Sequence, residues 1–191
     1  MSDLDAARRE IMTAAGERDP ESAAAVERSR RVMLAFCDEH PDALWRTCSA
    51  GHLTGSALVM ERTSKRILLL HHRKLRRWLQ PGGHADGEGD LGRVALREAC
   101  EETGLTGLRL VRPAIDLDVH EIPARGTEAA HVHLDVRYLV LAERAEPRMH
   151  ELINHEAIAA RWLDPEVEAH LIEGDLSRLV RAGLARREPL V

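Results

Sequence analysis

Aromatic residues are almost missing from this 191-residue chain, which has one Phe, one Tyr and three Trp. Its core must therefore be built from Leu, Val, Ile and Ala, and a broad aromatic platform for stacking bases is excluded. Cysteine is equally sparse. Cys37, Cys48 and Cys100 form an odd, widely spaced set, which argues against a disulfide framework or a Cys-rich zinc site and for reduced thiols in a cytoplasmic protein. No apolar stretch approaches membrane-spanning length, and Met1-Ser2-Asp3-Leu4-Asp5 has neither a basic leader nor an apolar run. A soluble, unprocessed protein with no membrane partner is expected. Positive charge is also in deficit: 27 Lys and Arg face 32 Asp and Glu, a net charge of -5. Binders of long nucleic acid are normally basic, so that class is set aside. The same deficit means that a phosphorylated substrate must be held by a metal ion or a local basic cluster.

What the chain does have is enough apolar content, 44%, for one self-sufficient globular domain. Leu4, Ile11, Met12 and Ala15 fall at helical spacing. Asp19-Pro20-Glu21 then supplies an N-cap, a first-turn proline and a first-turn acid for a second helix striped by Val26, Met33, Leu34 and Cys37. Residues 1–45 are read as a helical extension whose apolar faces serve packing or a homodimer contact, and residues 46–191 as the main part of the same domain. Beyond position 52 the periodicity shortens. Residues 53–60 and 66–72 read as a strand hairpin, followed by a Gly-rich loop and a helix at about 90–103 closed by Gly104. Strands follow at about 108–120, 131–142 and 161–163, and a last helical stretch, 166–187, is interrupted at Gly174. This order predicts an α+β fold with a mixed sheet between helices.

The central helix reads Arg97-Glu98-Ala99-Cys100-Glu101-Glu102-Thr103-Gly104. Glu98 and Glu102 are four residues apart and share a face, with Glu101 on its edge. Like charges at this spacing cost stability in a plain helix. A hard cation such as Mg²⁺, or Mn²⁺ in its place, offsets that cost. Arg97, four residues before Glu101, is placed to orient that carboxylate. Upstream, Trp78-Leu79-Gln80-Pro81-Gly82-Gly83 offers a backbone that a ligand can approach closely.

In these residues the chain resembles the Nudix hydrolases. With U for an aliphatic residue, the family signature is G-x5-E-x7-R-E-U-x-E-E-x-G-U. Gly83, Arg97, Glu98, Ala99, Glu101, Glu102, Gly104 and Leu105 meet it in register, and Leu79-Gln80-Pro81-Gly82-Gly83 is similar to the lead-in. The family's first glutamate falls on Gly89, with Glu88 one residue early and Asp90 one late. Because that glutamate typically supports the loop, activity is expected to survive its loss, with Glu88 fastening the loop and Asp90 capping the helix. The resemblance implies an α/β/α sandwich in a Nudix-like catalytic domain and metal ligation by Glu98, Glu101, Glu102 and the Gly83 carbonyl. It also marks Glu156, ahead of the last core strand, as a candidate general base.

Two strands carry polar faces. Asp116, Asp118 and His120 alternate along one, and His131, His133, Asp135 and Arg137 along the other. His131, His133 and Asp135 are the right types for a transition metal, but a tight zinc site needs a further ligand that the sequence does not single out. They are read, with Arg137, as substrate contacts. Arg73 and Arg77, in the basic run from His71 to Arg77, are read as phosphate contacts. The reaction expected is in-line attack of water on phosphorus in a nucleoside diphosphate linked to another moiety, or a related small diphosphate, assisted by Mg²⁺. Arg97, Glu98, Glu101, Glu102 and Glu156 are the catalytic candidates. The alternatives are an isoprenoid-diphosphate isomerase, for which no Cys/Glu pair is evident, and a non-catalytic nucleotide-sensing module, for which three helix glutamates are superfluous.

Overall fold

The computed structural model describes residues 2–15, 19–124, 126, 129–143 and 157–186. Helix α1 (Asp3–Thr13) opens with a capping box in which the Ser2 hydroxyl accepts from Asp5 N–H and the Asp5 carboxylate from Ser2 N–H. Helix α2 (Pro20–Glu39) opens on the Asp19 cap and the first-turn proline, as the sequence predicts. Strands β1 (Gly51–Glu61) and β2 (Ile67–His72) form the expected hairpin. The stretch expected to be a plain Gly-rich loop contains two short strands, β3 (Trp78–Leu79) and β4 (Gly82–His84). Helix α3 (Leu91–Thr103) is capped by Asp90, whose carboxylate accepts from Arg93 N–H, and ends on Gly104 at a φ of 65°. Strands β5 (Arg109–Ile122), β6 (His131–Ala142) and β7 (Ala157–Leu163) follow. The last helix, α4 (Asp175–Arg186), is shorter than the periodicity suggests: it starts only after Gly174, whose φ is 57°, and a short 3-10 turn precedes it.

The strands form a seven-stranded mixed sheet in which β3-β2-β1-β6-β5 are neighbours, β4 pairs with β1 and β7 with β2. Among the described residues only β1 and β6 run parallel; the other pairs are antiparallel. Alternation along β1 sorts its residues onto two layers. Leu53, Ala57 and Val59 face a core shared with α1, α2 and α3. Leu58 and Met60 face a second core closed by α4. The apolar stripes of α1 and α2, including Ile11, Val26 and Met33, are buried in the first core, so the extension is packed into the sandwich itself. Among the described residues no helix is long and apolar enough to cross a membrane.

On the α4 side the start of β1 is polar. His52, Thr54 and Ser56 stand in register with His133, Asp135 and Arg137 of β6, and Asp116, Asp118 and His120 of β5 continue the row. Arg137 is 4% exposed. Its Nε donates to Asp135 at 2.7 Å, Nη1 to Asp116 at 3.2 Å and Nη2 to Asp118 at 2.8 Å. Thr54 and Ser56 hydroxyls donate to the same Asp135 oxygen at 2.8 and 2.9 Å. Arg178 of α4 reaches Asp116 at 2.8 Å and Asp118 at 3.0 Å. Burial opposes the Arg137 charge, but its three carboxylates hold its pKa above the usual arginine value. The structure thus places the three nitrogens of Arg137, expected as a substrate contact, on buried aspartates. Arg137→Met should destabilise the fold by about 3–5 kcal/mol, because it leaves buried carboxylates short of a cation. Urea unfolding checks this, and an unchanged midpoint would show the network to be dispensable.

Candidate active site

The glutamates of α3 meet the backbone of β4 at Gly82 and Gly83. A Cβ at Gly83 would lie 2.5 Å from Glu98 Cδ, and one at Gly82 would lie 2.2 Å from Ser56 Oγ. A side chain at Gly83 would push the Glu98 carboxylate from the strand, and one at Gly82 would run into Ser56 of β1, so each glycine answers a different close approach. Glu102 is tied to the same strand, accepting from Gly82 N–H at 3.0 Å. Arg97 donates to Glu98 at 2.7 Å and to the His84 carbonyl at 3.3 Å. Its partner is thus Glu98 and not Glu101 as the helical spacing suggests, because β4 draws the guanidinium toward its own end of the helix.

Glu98 and Glu102 line a cleft of about 550 Å³ with Gly82, Gly83 and His84. Arg46, His72 and Lys74 add positive or ionisable groups to the wall, and His120, His131, His133 and Asp135 lie along the sheet side. Glu101 is exposed and does not contribute to this lining. Arg73 and Arg77 are likewise exposed outside it; from the same basic run, His72 and Lys74 reach the cleft. Asp135 lines it but already accepts from Thr54, Ser56 and Arg137. Glu156 lies outside the described residues. Sequence reasoning missed His52, Arg46 and His84 as parts of this region. His52 had a signal: with Thr54 and Ser56 it forms the same alternation that drew attention to His131, His133 and Asp135.

The loop after β4 explains the departure at position 89. A Cβ on Gly89 would stand 2.2 Å from the Asp3 carbonyl oxygen of α1, so the extension occupies the space that a side chain needs. Other residues fasten the loop. Asp86 receives Arg46 Nε at 2.8 Å and Nη2 at 2.5 Å, and Glu88 accepts from Asp90 N–H at 3.0 Å. From α1, Glu10 accepts the Gly92 N–H at the start of α3 at 3.1 Å, and it also engages Arg112 and the Tyr138 hydroxyl. A carboxylate near the first turn of a helix is favourable for the exposed N–H groups and the dipole. Here it comes from the extension.

A mixed sheet between helices, with Glu98 seated on Gly83 and Glu102 bonded to the Gly82 N–H, brings two carboxylates to the wall of one cleft. The NUDIX domain model matches residues 51–181, and the chain belongs to the Nudix family. It is 28% identical over 132 residues to the m7GpppN-mRNA hydrolase NUDT17 of Xenopus laevis, covering 63% of this chain and 44% of that protein. It is 31% identical over 102 residues to a probable DHNTP pyrophosphohydrolase of Lactococcus lactis, covering 52% of this chain and 60% of that one. The chain thus spans about half the length of these curated relatives. In fold it is similar to a C. elegans Ap4A hydrolase, with a TM-score of 0.54 and 19% identity over 70% of this chain and 95% of the other.

Restoring the family glutamate should harm this protein. Gly89→Glu must displace α1 or the loop, so it should lower the melting temperature by several degrees, at roughly 2–4 °C per kcal/mol, with no gain in turnover. A thermal melt with a parallel activity assay checks both. A large rise in activity would instead mark the loop as degraded.

Proposed function

We propose that this chain is a Mg²⁺-dependent pyrophosphohydrolase, with Mn²⁺ as a substitute, that cleaves a phosphoanhydride bond in a nucleoside diphosphate linked to another moiety or in a related small diphosphate. The observation that carries this reading is the seating of the Glu98 carboxylate against Gly83 while Glu102 bonds the neighbouring Gly82 N–H. These groups, with the Gly83 carbonyl, are hard oxygen donors of the kind Mg²⁺ and Mn²⁺ take. When bound, such an ion polarises phosphate oxygens and makes water more acidic. The chain's own residues do the rest. Arg97 steadies Glu98 by its 2.7 Å bond, and Lys74, on the cleft wall, offers charge to the substrate phosphates. The cleft volume of about 550 Å³ falls in the range of small-ligand sites. Glu156 is retained as the proposed general base. The curated relatives, named as hydrolases of an mRNA cap and of DHNTP, support pyrophosphohydrolysis without selecting a substrate. A cytoplasmic setting is part of the proposal, in keeping with three free cysteines, and so is a homodimer through the extension.

Replacing Glu98 or Glu102 by Gln keeps size and helix propensity but removes a charged ligand. Loss of a group that merely supports a metal ligand costs about 10–100-fold, so loss of a ligand should lower kcat by at least roughly 100-fold with an unchanged melting temperature. Glu101→Gln, at an exposed position off the cleft wall, should be at least roughly tenfold milder. Near-normal turnover in both Glu98→Gln and Glu102→Gln would exclude this site.

A further inference from the structure

Five histidines gather where β1, β4, β5 and β6 meet. Ring centroids of His52 lie 4.8 Å from His84, 4.9 Å from His131 and 4.8 Å from His133. His84 and His120 stand 5.2 and 5.5 Å from His133. Strand register produces the grouping, since His133 is paired with His52 on one side and with His120 on the other. We propose that His52, His131 and His133 bind a transition-metal ion of the Zn²⁺ class through their imidazole nitrogens, at a site beside, but separate from, the Glu98 and Glu102 carboxylates.

Three observations point to a ligand there. His52 is 3% exposed, and neither of its ring nitrogens makes a hydrogen bond of acceptable geometry; the Cys48 carbonyl comes only near enough to oppose its pKa shift slightly. A buried imidazole left this way keeps the desolvation cost of its unpaired nitrogens, which a metal bond removes. Second, ligand atoms of His52, His131 and His133 all lie within 4.8 Å of one another. The Nε2 atoms of His131 and His133 are 3.3 Å apart. Two nitrogens about 2.0–2.1 Å from a tetrahedral Zn²⁺ are about 3.3–3.4 Å from each other. Third, the surrounding groups orient the rings as metal supports do. His131 Nδ1 lies 3.0 Å from the Ala129 carbonyl oxygen; as a donor there, it turns Nε2 toward His133 as an acceptor, the arrangement of ligating histidines.

Imidazoles select Zn²⁺ and its neighbours, whereas the carboxylates of α3 select Mg²⁺ or Mn²⁺. The two sites therefore sort metals by ligand type. The inference revises the expectation of substrate contact for His131 and His133. Asp135 is committed to Arg137, and the third ligand is His52, supplied by a different strand. His131 and His133 also lie on the wall of the cleft. The site does not depend on the proposed hydrolysis.

The test is metal content. The full chain, stripped with chelator and dialysed against micromolar zinc chloride and then against buffer, should retain about one zinc per molecule. Loading with Co²⁺ instead should give the intense visible absorption of a tetrahedral nitrogen site. His133→Gln and His131→Gln should each lower zinc retention at least roughly tenfold, while Glu98→Gln retains it. Absence of zinc in the wild-type chain, or the weak spectrum of octahedral Co²⁺, would reduce the 3.3 Å contact to a hydrogen bond between two imidazoles and overturn the proposal. Loss of zinc on Glu98→Gln with retention on His133→Gln would overturn it as well. The wild-type spectrum needs no variant to fold.

Discussion

Because β1 and β6 pair residue for residue from Gly51 with Val132 to Glu61 with Ala142, a side chain's place on one strand fixes its neighbour on the next. His52 stands beside His133, Thr54 beside Asp135 and Ser56 beside Arg137. A slip of one residue would send each of these to the opposite face of the sheet, into the core under α1, α2 and α3. The register is held by burial on both faces: Leu53, Ala57 and Val59 on one, Leu58 and Met60 on the other. The polar row at the start of β1 is thus a consequence of the apolar row further along it. The cleft inherits its chemistry from this constraint, since β4 hangs on the same strand through Thr54, Gly55 and Ser56 and brings Gly82 and Gly83 to the glutamates of α3.

The polar row divides into two parts with different physics. Arg137, Arg178 and the aspartates around them form a nearly closed ion network, with the carboxylates of Asp116, Asp118 and Asp135 under 10% exposed. Buried ion pairs contribute little net stability but punish the loss of one member. The histidines, by contrast, are crowded, and both ring nitrogens of the buried His52 lack a hydrogen-bond partner. One end of the row is a fixed support, and the other is suited to coordinate. His120 joins the two by bonding Asp118 at 2.9 Å.

The N-terminal helices are integral to the sandwich. The Asp3 carbonyl excludes any side chain at position 89, and Glu10 supplies a carboxylate to the Gly92 N–H at the start of α3. The family signature thus departs at one position where another segment takes both the space and part of the electrostatic work.

Much of this was legible in the sequence where periodicity and capping agree. The Asp19 cap of α2, the Asp90 cap and Gly104 stop of α3, and the β1–β2 hairpin all fall where local patterns put them. So do the convergence of Glu98 with Glu102 and the pairing of that helix with Gly83. The short strands β3 and β4 were not legible, because two or three residues carry no periodicity and their existence depends on a partner strand. Arg137 misled for a related reason: alternation shows that a residue shares a face with His133 but not whether that face is open to the cleft or covered by α4 at that depth. His52 lay in a strand recognised as such, yet its meeting with His131 and His133 follows from a parallel pairing between residues about 80 apart in sequence, which no local pattern encodes.

The central claim is that this chain directs water onto phosphorus with the aid of a divalent ion held by Glu98 and Glu102. It is tested most directly by isotope labelling. Nucleoside diphosphate sugars, dinucleoside polyphosphates, nucleoside triphosphates and ADP-ribose are incubated with the protein in ¹⁸O-water, with and without Mg²⁺ or Mn²⁺, and the products weighed by mass spectrometry. The account predicts that at least one substrate is split into two phosphate-ended fragments, one carrying a single ¹⁸O on phosphorus, and that the split disappears without the divalent ion. Tight binding of these nucleotides with no label incorporated under any metal would contradict it and leave a nucleotide-sensing module in its place.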